Sequence, residues 1–183
     1  MADADARGQA PDADATGTPR FRHTGYRLRV TDEVRIRPVQ PEDLPILFEY
    51  EADPEAAQMA VFESRDRTSF DAHWAKVLGN ETAIARTVED AGIVVGNIGC
   101  WEQDGERHVG YWIGREHWGR GVATQALRAL VAEVTDRPLH ADVVETNAGS
   151  IRVLEKCGFR RVGDPTVSDE GVVELRYRLD GTG

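Results

Sequence analysis

The chain has 183 residues, 40% of them hydrophobic, and a formal net charge of −10. That length suits one domain with a sizeable core. The acidic balance argues against non-specific nucleic-acid binding, which needs a cationic surface, and no run approaches the ~18 apolar residues of a membrane span.

No apolar stretch follows Met1, so no secretory signal is expected. Cys100 and Cys157 lie far apart without a metal-type spacing. They read as small, partly buried side chains in a reducing cytoplasm. The five histidines show no metal cluster in their spacing. Lys76 and Lys156 are the only lysines; the other basic residues are arginines. That bias is attributed to genome composition. The charge weakly favours cationic partners such as amines.

Residues 1–25 are rich in Ala, Asp, Gly and Pro. They cannot offset their ordering entropy by burial and are predicted to form a disordered tail. A single domain should span 26–183. Val34 to Val39 alternates and reads as a first strand, which Pro38 ends or places near an edge. Asp43 is predicted to cap a helix through Leu44, Leu47 and Phe48. A second helix is expected from Ser69 to Leu78, stopped by Gly79-Asn80. Strands follow at Thr82–Val88, Ile93–Trp101 and Val109–Gly114, joined by turns at Asp90-Ala91-Gly92 and Gln103-Asp104-Gly105-Glu106. Ala126, Leu127, Leu130, Val131 and Val134 mark one face of a third helix. Leu139 to Glu145 is a strand, and Asn147 to Cys157 a fourth helix. Phe159–Val162 and Val172–Leu179 are the last strands. The passage from Val109 to Glu145 implies one parallel crossover in a largely antiparallel sheet.

Gly110-Tyr111-Trp112-Ile113-Gly114 and Trp118-Gly119-Arg120-Gly121-Val122-Ala123-Thr124 form a strand, a glycine turn and a helix start. Such a turn aims several backbone N–H groups one way, and a helix N-terminus adds partial positive charge. Together they suit a pyrophosphate. A nucleotide P-loop would need a lysine after the turn, and none follows Gly121. A dinucleotide fingerprint would need a third small residue where Thr124 stands and a repeating βαβ context.

The remaining pattern resembles the acetyl-CoA loop of the GNAT acetyltransferases, which reads Arg or Gln, two residues, Gly, one residue, then Gly or Ala. Gly121 and Ala123 match it, and Trp118 stands where Arg or Gln is usual. Downstream, Asn147-Ala148-Gly149-Ser150 leads to Cys157-Gly158-Phe159, a second family hallmark. The resemblance covers roughly Val34 to Leu179. The motifs look most like the RimJ and RimL branch, which acetylates ribosomal-protein N-termini. The resemblance implies an α+β fold: a mixed, mostly antiparallel seven-stranded sheet with about four helices. It also implies a cytoplasmic N-acetyltransferase acting on a primary amine in a ternary complex, with acetyl-CoA as co-substrate and no metal. The amine could be a protein N-terminus or a small molecule. Relatives that dimerise through sheet edges leave a homodimer open.

The resemblance also assigns roles. Backbone N–H groups of Gly119, Arg120, Gly121, Val122, Ala123 and Thr124 would hold the pyrophosphate, with a peripheral contact from Arg120. Tyr111, Trp112 and Ile113 would pair with the pantetheine arm. Asn147 reads as an N-cap and, by resemblance, as a contact to that arm. Many relatives carry a catalytic tyrosine where Leu154 stands, so Ser150 becomes the candidate partner for the leaving thiolate. His108, Glu145 and, less well placed, Glu102 are candidate bases for the amine. A route through Cys100 or Cys157 lacks an adjacent base. An alternative is a cofactor-binding sensor with little turnover, which the departures at Trp118 and Leu154 keep open.

Overall fold

The structure is a computed structural model that describes residues 34–181. The expected tail at 1–25 and the domain start at Tyr26 lie outside the described residues. Seven strands form one sheet: β1 (Arg35–Pro38), β2 (Ile84–Asp90), β3 (Ile93–Gln103), β4 (Glu106–Ile113), β5 (Leu139–Val144), β6 (Arg160–Val167) and β7 (Val173–Leu179). Their spatial order is β1-β2-β3-β4-β5-β7-β6. Every neighbouring pair is antiparallel except β4–β5. The expected mixed, mostly antiparallel α+β sheet is therefore present.

Two-residue turns at Ala91-Gly92 and Asp104-Gly105 close the first hairpins. Each places two successive residues at positive φ, 53° and 82° in one, 53° and 78° in the other. That matches the twist of the flanking strands. Both turns are legible from their glycines.

Among the described residues five α-helices flank the sheet: α1 (Leu44–Glu51), α2 (Pro54–Ala60), α3 (Arg67–Leu78), α4 (Val122–Glu133) and α5 (Ala148–Lys156). α2 is an addition to the sequence reading. Asp53 caps it by accepting from the backbone N–H groups of Glu55 and Ala56, with Pro54 as its first residue. Asp66 caps α3 through the N–H of Ser69.

Asp43 does not cap α1. Its carboxylate instead accepts from the two terminal guanidinium nitrogens of Arg37 at 2.6 and 2.8 Å, the hydroxyl of Thr87 at 2.6 Å and the backbone N–H of Gln40 at 2.8 Å. A buried carboxylate needs such partners, and they join β1 and β2 to the segment before α1.

The main core lies between the sheet and the α4–α5 layer. Ala126, Leu127 and Leu130 of α4 meet Val109 and Ile113 of β4 and Leu139, Ala141 and Val143 of β5. Fully burying one such leucine contributes roughly 1.5–3 kcal/mol. A second core of Leu47, Phe70 and Trp74 sits with α1 and α3. Side chains alternate between faces along a strand, so His108, Gly110 and Trp112 turn away from the α4–α5 layer.

The feature that positions the site is a short parallel ladder. β4 and β5 pair only at Arg107↔Leu139 and His108↔His140. Beyond that rung, β4 through Ile113 pairs only with β3, and β5 through Val144 only with β7. The sheet thus opens into a V.

Candidate active site

The open end of the V is a cleft of about 690 Å³. Its walls come from β4, the glycine turn, the first turns of α4 and α5, and one side of α2.

Gly119 and Gly121 sit at φ 74° and 81°, and a Cβ at either would meet nothing within 4 Å. The turn therefore needs glycine for its backbone shape and leaves open space beside it. α4's first intrahelical bond runs from Gln125 N–H to Gly121 carbonyl. The N–H groups of Val122, Ala123 and Thr124 precede that ladder and point out of the helix end. α4 has no side-chain cap, so those donors stay available for an anion.

α5 starts on the other side of the cleft. Asn147 accepts the N–H of Ser150 through its side-chain oxygen at 3.0 Å. Asn147 itself lines the cleft. Ala148, Arg152 and Lys156 also line it, at i, i+4 and i+8 of one stripe. The sequence reading missed Arg152 and Lys156, although that helical spacing from the cap would have found them. Among the described residues no carboxylate lines the cleft. Two helix N-termini, two cations and an open glycine turn fit the diphosphate end of coenzyme A.

Tyr111, Trp112, Ile113, Gly119, Gly121, Val122, Ala123, Thr124, Asn147 and Ser150 all line this one cleft. Trp118 holds the turn by donating its indole N–H to the Ile113 carbonyl. The Trp112 indole N–H is bound to the Tyr50 carbonyl at 2.8 Å. The Tyr111 hydroxyl donates to the Ser150 carbonyl at 3.4 Å. Burial pushes that phenol up to about 12, against the opposing hydrogen bond, so it stays a neutral donor.

Arg120 does not line the cleft. Its guanidinium pairs with the buried Asp90 carboxylate at 2.7 Å and meets His117 Nδ1 at 3.3 Å. Leu154 belongs to the main core. Burial pushes the thiols of Cys100 and Cys157 up, which makes neither a ready nucleophile.

His108 and Glu145 also fall outside the cleft lining. Glu145 is exposed just beyond β5, its N–H bound to the Val173 carbonyl. His108 is buried on the last rung before the strands part, stacked against Trp101. Its Nδ1 lies 3.3 Å from the Asp142 carboxylate. The structure also gathers Glu106, His108 and His140, their ligand atoms all within 4.8 Å. The linear sequence gave no sign of that grouping, because it spans two parallel strands.

Residues 33–160 match a family model described as "Acetyltransferase (GNAT) domain". The chain is 25% identical over 147 residues to the uncharacterized N-acetyltransferase p20 of Bacillus licheniformis, covering 73% of this chain and 82% of that one. Among solved structures, a GNAT-family acetyltransferase from Bacillus anthracis aligns with a TM-score of 0.71 at 21% identity, covering 81% of this chain and 95% of that one. RimL, a ribosomal L7/L12 alpha-N-protein acetyltransferase solved with coenzyme A, aligns with a TM-score of 0.70 at 15% identity, covering 82% and 96%. Among the described residues no helix is long and apolar enough to cross a membrane. The chain belongs to the GNAT family and is an acetyl-CoA-dependent N-acetyltransferase.

Proposed function

We propose that the protein transfers the acetyl group directly to a primary amine within a ternary complex in the cytoplasm, with a protein N-terminus as the leading acceptor and a small-molecule amine as the alternative. The observation that carries the reading is the convergence of two helix N-termini on the gap where β4 and β5 part. The RimJ and RimL branch is favoured by Gly110-Tyr111-Trp112-Ile113 and Trp118-Gly119-Arg120-Gly121.

Acetyl-CoA supplies the activated acetyl thioester. The N–H groups from Gly119 to Thr124 hold the pyrophosphate, and Arg152 and Lys156 add charge for phosphate oxygens. The free edge of β4 at Tyr111–Ile113 pairs with the pantetheine amides as an added strand would. Asn147 keeps its cap and offers its NH₂ to the same arm. The Ser150 hydroxyl hydrogen-bonds the sulfur as the C–S bond breaks, and Tyr111 supports that turn of α5. Raised thiols at Cys100 and Cys157 favour direct attack by the amine over a cysteine intermediate.

The attacking amine must lose a proton. His108, on the rung at which the strands part and 3.3 Å from the Asp142 carboxylate, would take that proton through water. Glu145 is the alternative acceptor at the end of β5.

The test is thiol release from acetyl-CoA across a panel of peptide N-termini and small amines. Thermal shifts with acetyl-CoA, NAD and ATP run beside it. Saturation at a hundredfold excess over Kd should add about 2.7 kcal/mol for the true ligand alone. Ser150→Ala, His108→Ala and Glu145→Ala are then measured singly. If none slows transfer tenfold, about 1.4 kcal/mol of barrier, these catalytic assignments fall.

A further inference from the structure

We propose that His108, His140 and Glu106 form a binding site for a zinc-type divalent transition-metal ion. The site lies at the closed end of the V, outside the cofactor cleft.

The two histidines are register partners on the last β4–β5 rung. Their ring centroids are 5.7 Å apart. Nε2 of His108 lies 3.7 Å from one Glu106 oxygen, and Nε2 of His140 lies 3.8 Å from the other. Those distances are too long for hydrogen bonds. Ligands about 2.0–2.2 Å from a tetrahedral ion stand roughly 3.4 Å apart. The ligand atoms, one from each residue, lie within 4.8 Å of one another, so the side chains must draw together by up to about 1.4 Å to close on an ion.

The surroundings suit a ligand set. The Asp142 carboxylate faces His108 Nδ1 at 3.3 Å. With its Nδ1–H turned to that carboxylate, the ring would keep its lone pair on Nε2, toward Glu106, which is how carboxylates orient metal-bound imidazoles. His140 supplies an independent observation. Its side chain is 7% exposed, its Nδ1 is buried without a hydrogen-bond partner, and its Nε2 stands 3.8 Å from Glu106 Oε1. With no hydrogen bond claiming Nδ1, the ring is free to keep its lone pair on Nε2, which faces Glu106 and would take the metal. Two imidazoles and one carboxylate match zinc, cobalt or nickel better than magnesium or calcium, which prefer all-oxygen sites. Glu106 is 41% exposed, so ion and water can reach the fourth position.

Arg176 opposes the ion. It donates to Glu106 Oε2 at 3.1 Å and to Asp142 Oδ1 at 3.0 Å, leaving Glu106 Oε1 toward His140. Binding is therefore reversible and moderate. The ion would occupy the His108 lone pair that transfer needs, so zinc inhibits the enzyme. Only this inhibition rests on the proposed function.

The test uses untagged full-length chain stripped by chelator and titrated with Zn²⁺ against a chromogenic zinc indicator. Mg²⁺ is the control. The expected result is one zinc ion per chain and no magnesium. His140→Ala and Glu106→Gln should each weaken binding at least tenfold. Arg176→Gln should tighten it severalfold. Cobalt(II) should give tetrahedral visible bands that His108→Ala abolishes. Circular dichroism and thermal melting identify a variant that fails to fold, and Glu106→Gln, half exposed, decides the matter if a histidine variant does. Failure of the wild type to bind zinc overturns the proposal, as does binding that none of these variants changes. The titration needs neither acetyl-CoA nor an amine, so it can fail while the acetyl-transfer reading stands, and the reverse.

Discussion

Trp118 donates its indole N–H to the carbonyl of Ile113 at 2.7 Å. The bond ties the start of the glycine turn to the end of β4, so the two walls of the cofactor cleft are fixed to each other. An aromatic donor thus holds the turn from behind. Trp118→Phe keeps the ring and removes the bond. One such bond is worth about 1 kcal/mol, roughly fivefold in affinity. Calorimetric titration should show acetyl-CoA binding weakened by about that factor, with the melting temperature little changed. An unaltered Kd would mean that the turn is held by its own backbone.

One pair of substitutions separates the observed cap of Asn147 from its proposed cofactor contact. Its side-chain oxygen caps α5 through the N–H of Ser150, and the proposed function gives its NH₂ to the pantetheine arm. Asn147→Asp keeps the cap but removes that donor and adds negative charge beside an anion site. Stability should hold while acetyl-CoA affinity drops about tenfold. Asn147→Ala should lose about 1 kcal/mol of stability as well. Equal affinity in the wild type and the aspartate variant would leave Asn147 as a cap alone.

Local features were legible in the sequence. Gly119 and Gly121 announce positive φ, Asn147 announces a helix start, and both operate within a few residues. What the sequence concealed depends on distant partners. Asp43 has the composition of a cap, yet Arg37 and Thr87 claim its carboxylate across two strands. Arg120 suits a phosphate, yet Asp90 lies against it from the end of β2. The His108–His140 pair exists only through a parallel register, which no periodicity encodes. α2 was different: Asp53-Pro54 is a start signal, but seven residues rich in alanine show no apolar stripe. Its Ala56, Met59 and Ala60 nevertheless wall the cleft.

Gly114 ends β4 against α1, and a Cβ there would meet the Tyr50 ring at 2.5 Å. That ring cannot swing aside freely. Its hydroxyl donates to the Val94 carbonyl at 3.0 Å and contacts His117 Nε2 at 3.3 Å. Gly114→Ala should therefore overpack the junction and cost roughly 1–3 kcal/mol, read as a lower urea midpoint at unchanged m-value. A loss below about 0.5 kcal/mol would show that Tyr50 gives way.

Asp43 links the fold to pH. Burial opposes its charge, but the Arg37 fork, the Thr87 hydroxyl and the Gln40 N–H outweigh that and lower its pKa from 3.8 to about 2. A carboxyl depressed in the folded state binds protons less readily than in the unfolded chain, so its stabilisation is complete above about pH 4 and drains away as pH falls toward 2. A shift of this size corresponds to roughly 2 kcal/mol. Denaturant unfolding between pH 6 and pH 2 should show the wild type losing that amount in the acid limb. Asp43→Asn should be less stable at pH 6 and lack that part of the acid slope. Parallel slopes in the two proteins would mean that other carboxylates carry the acid sensitivity and that the Arg37–Asp43 pair adds no net stability to the β1–β2 edge.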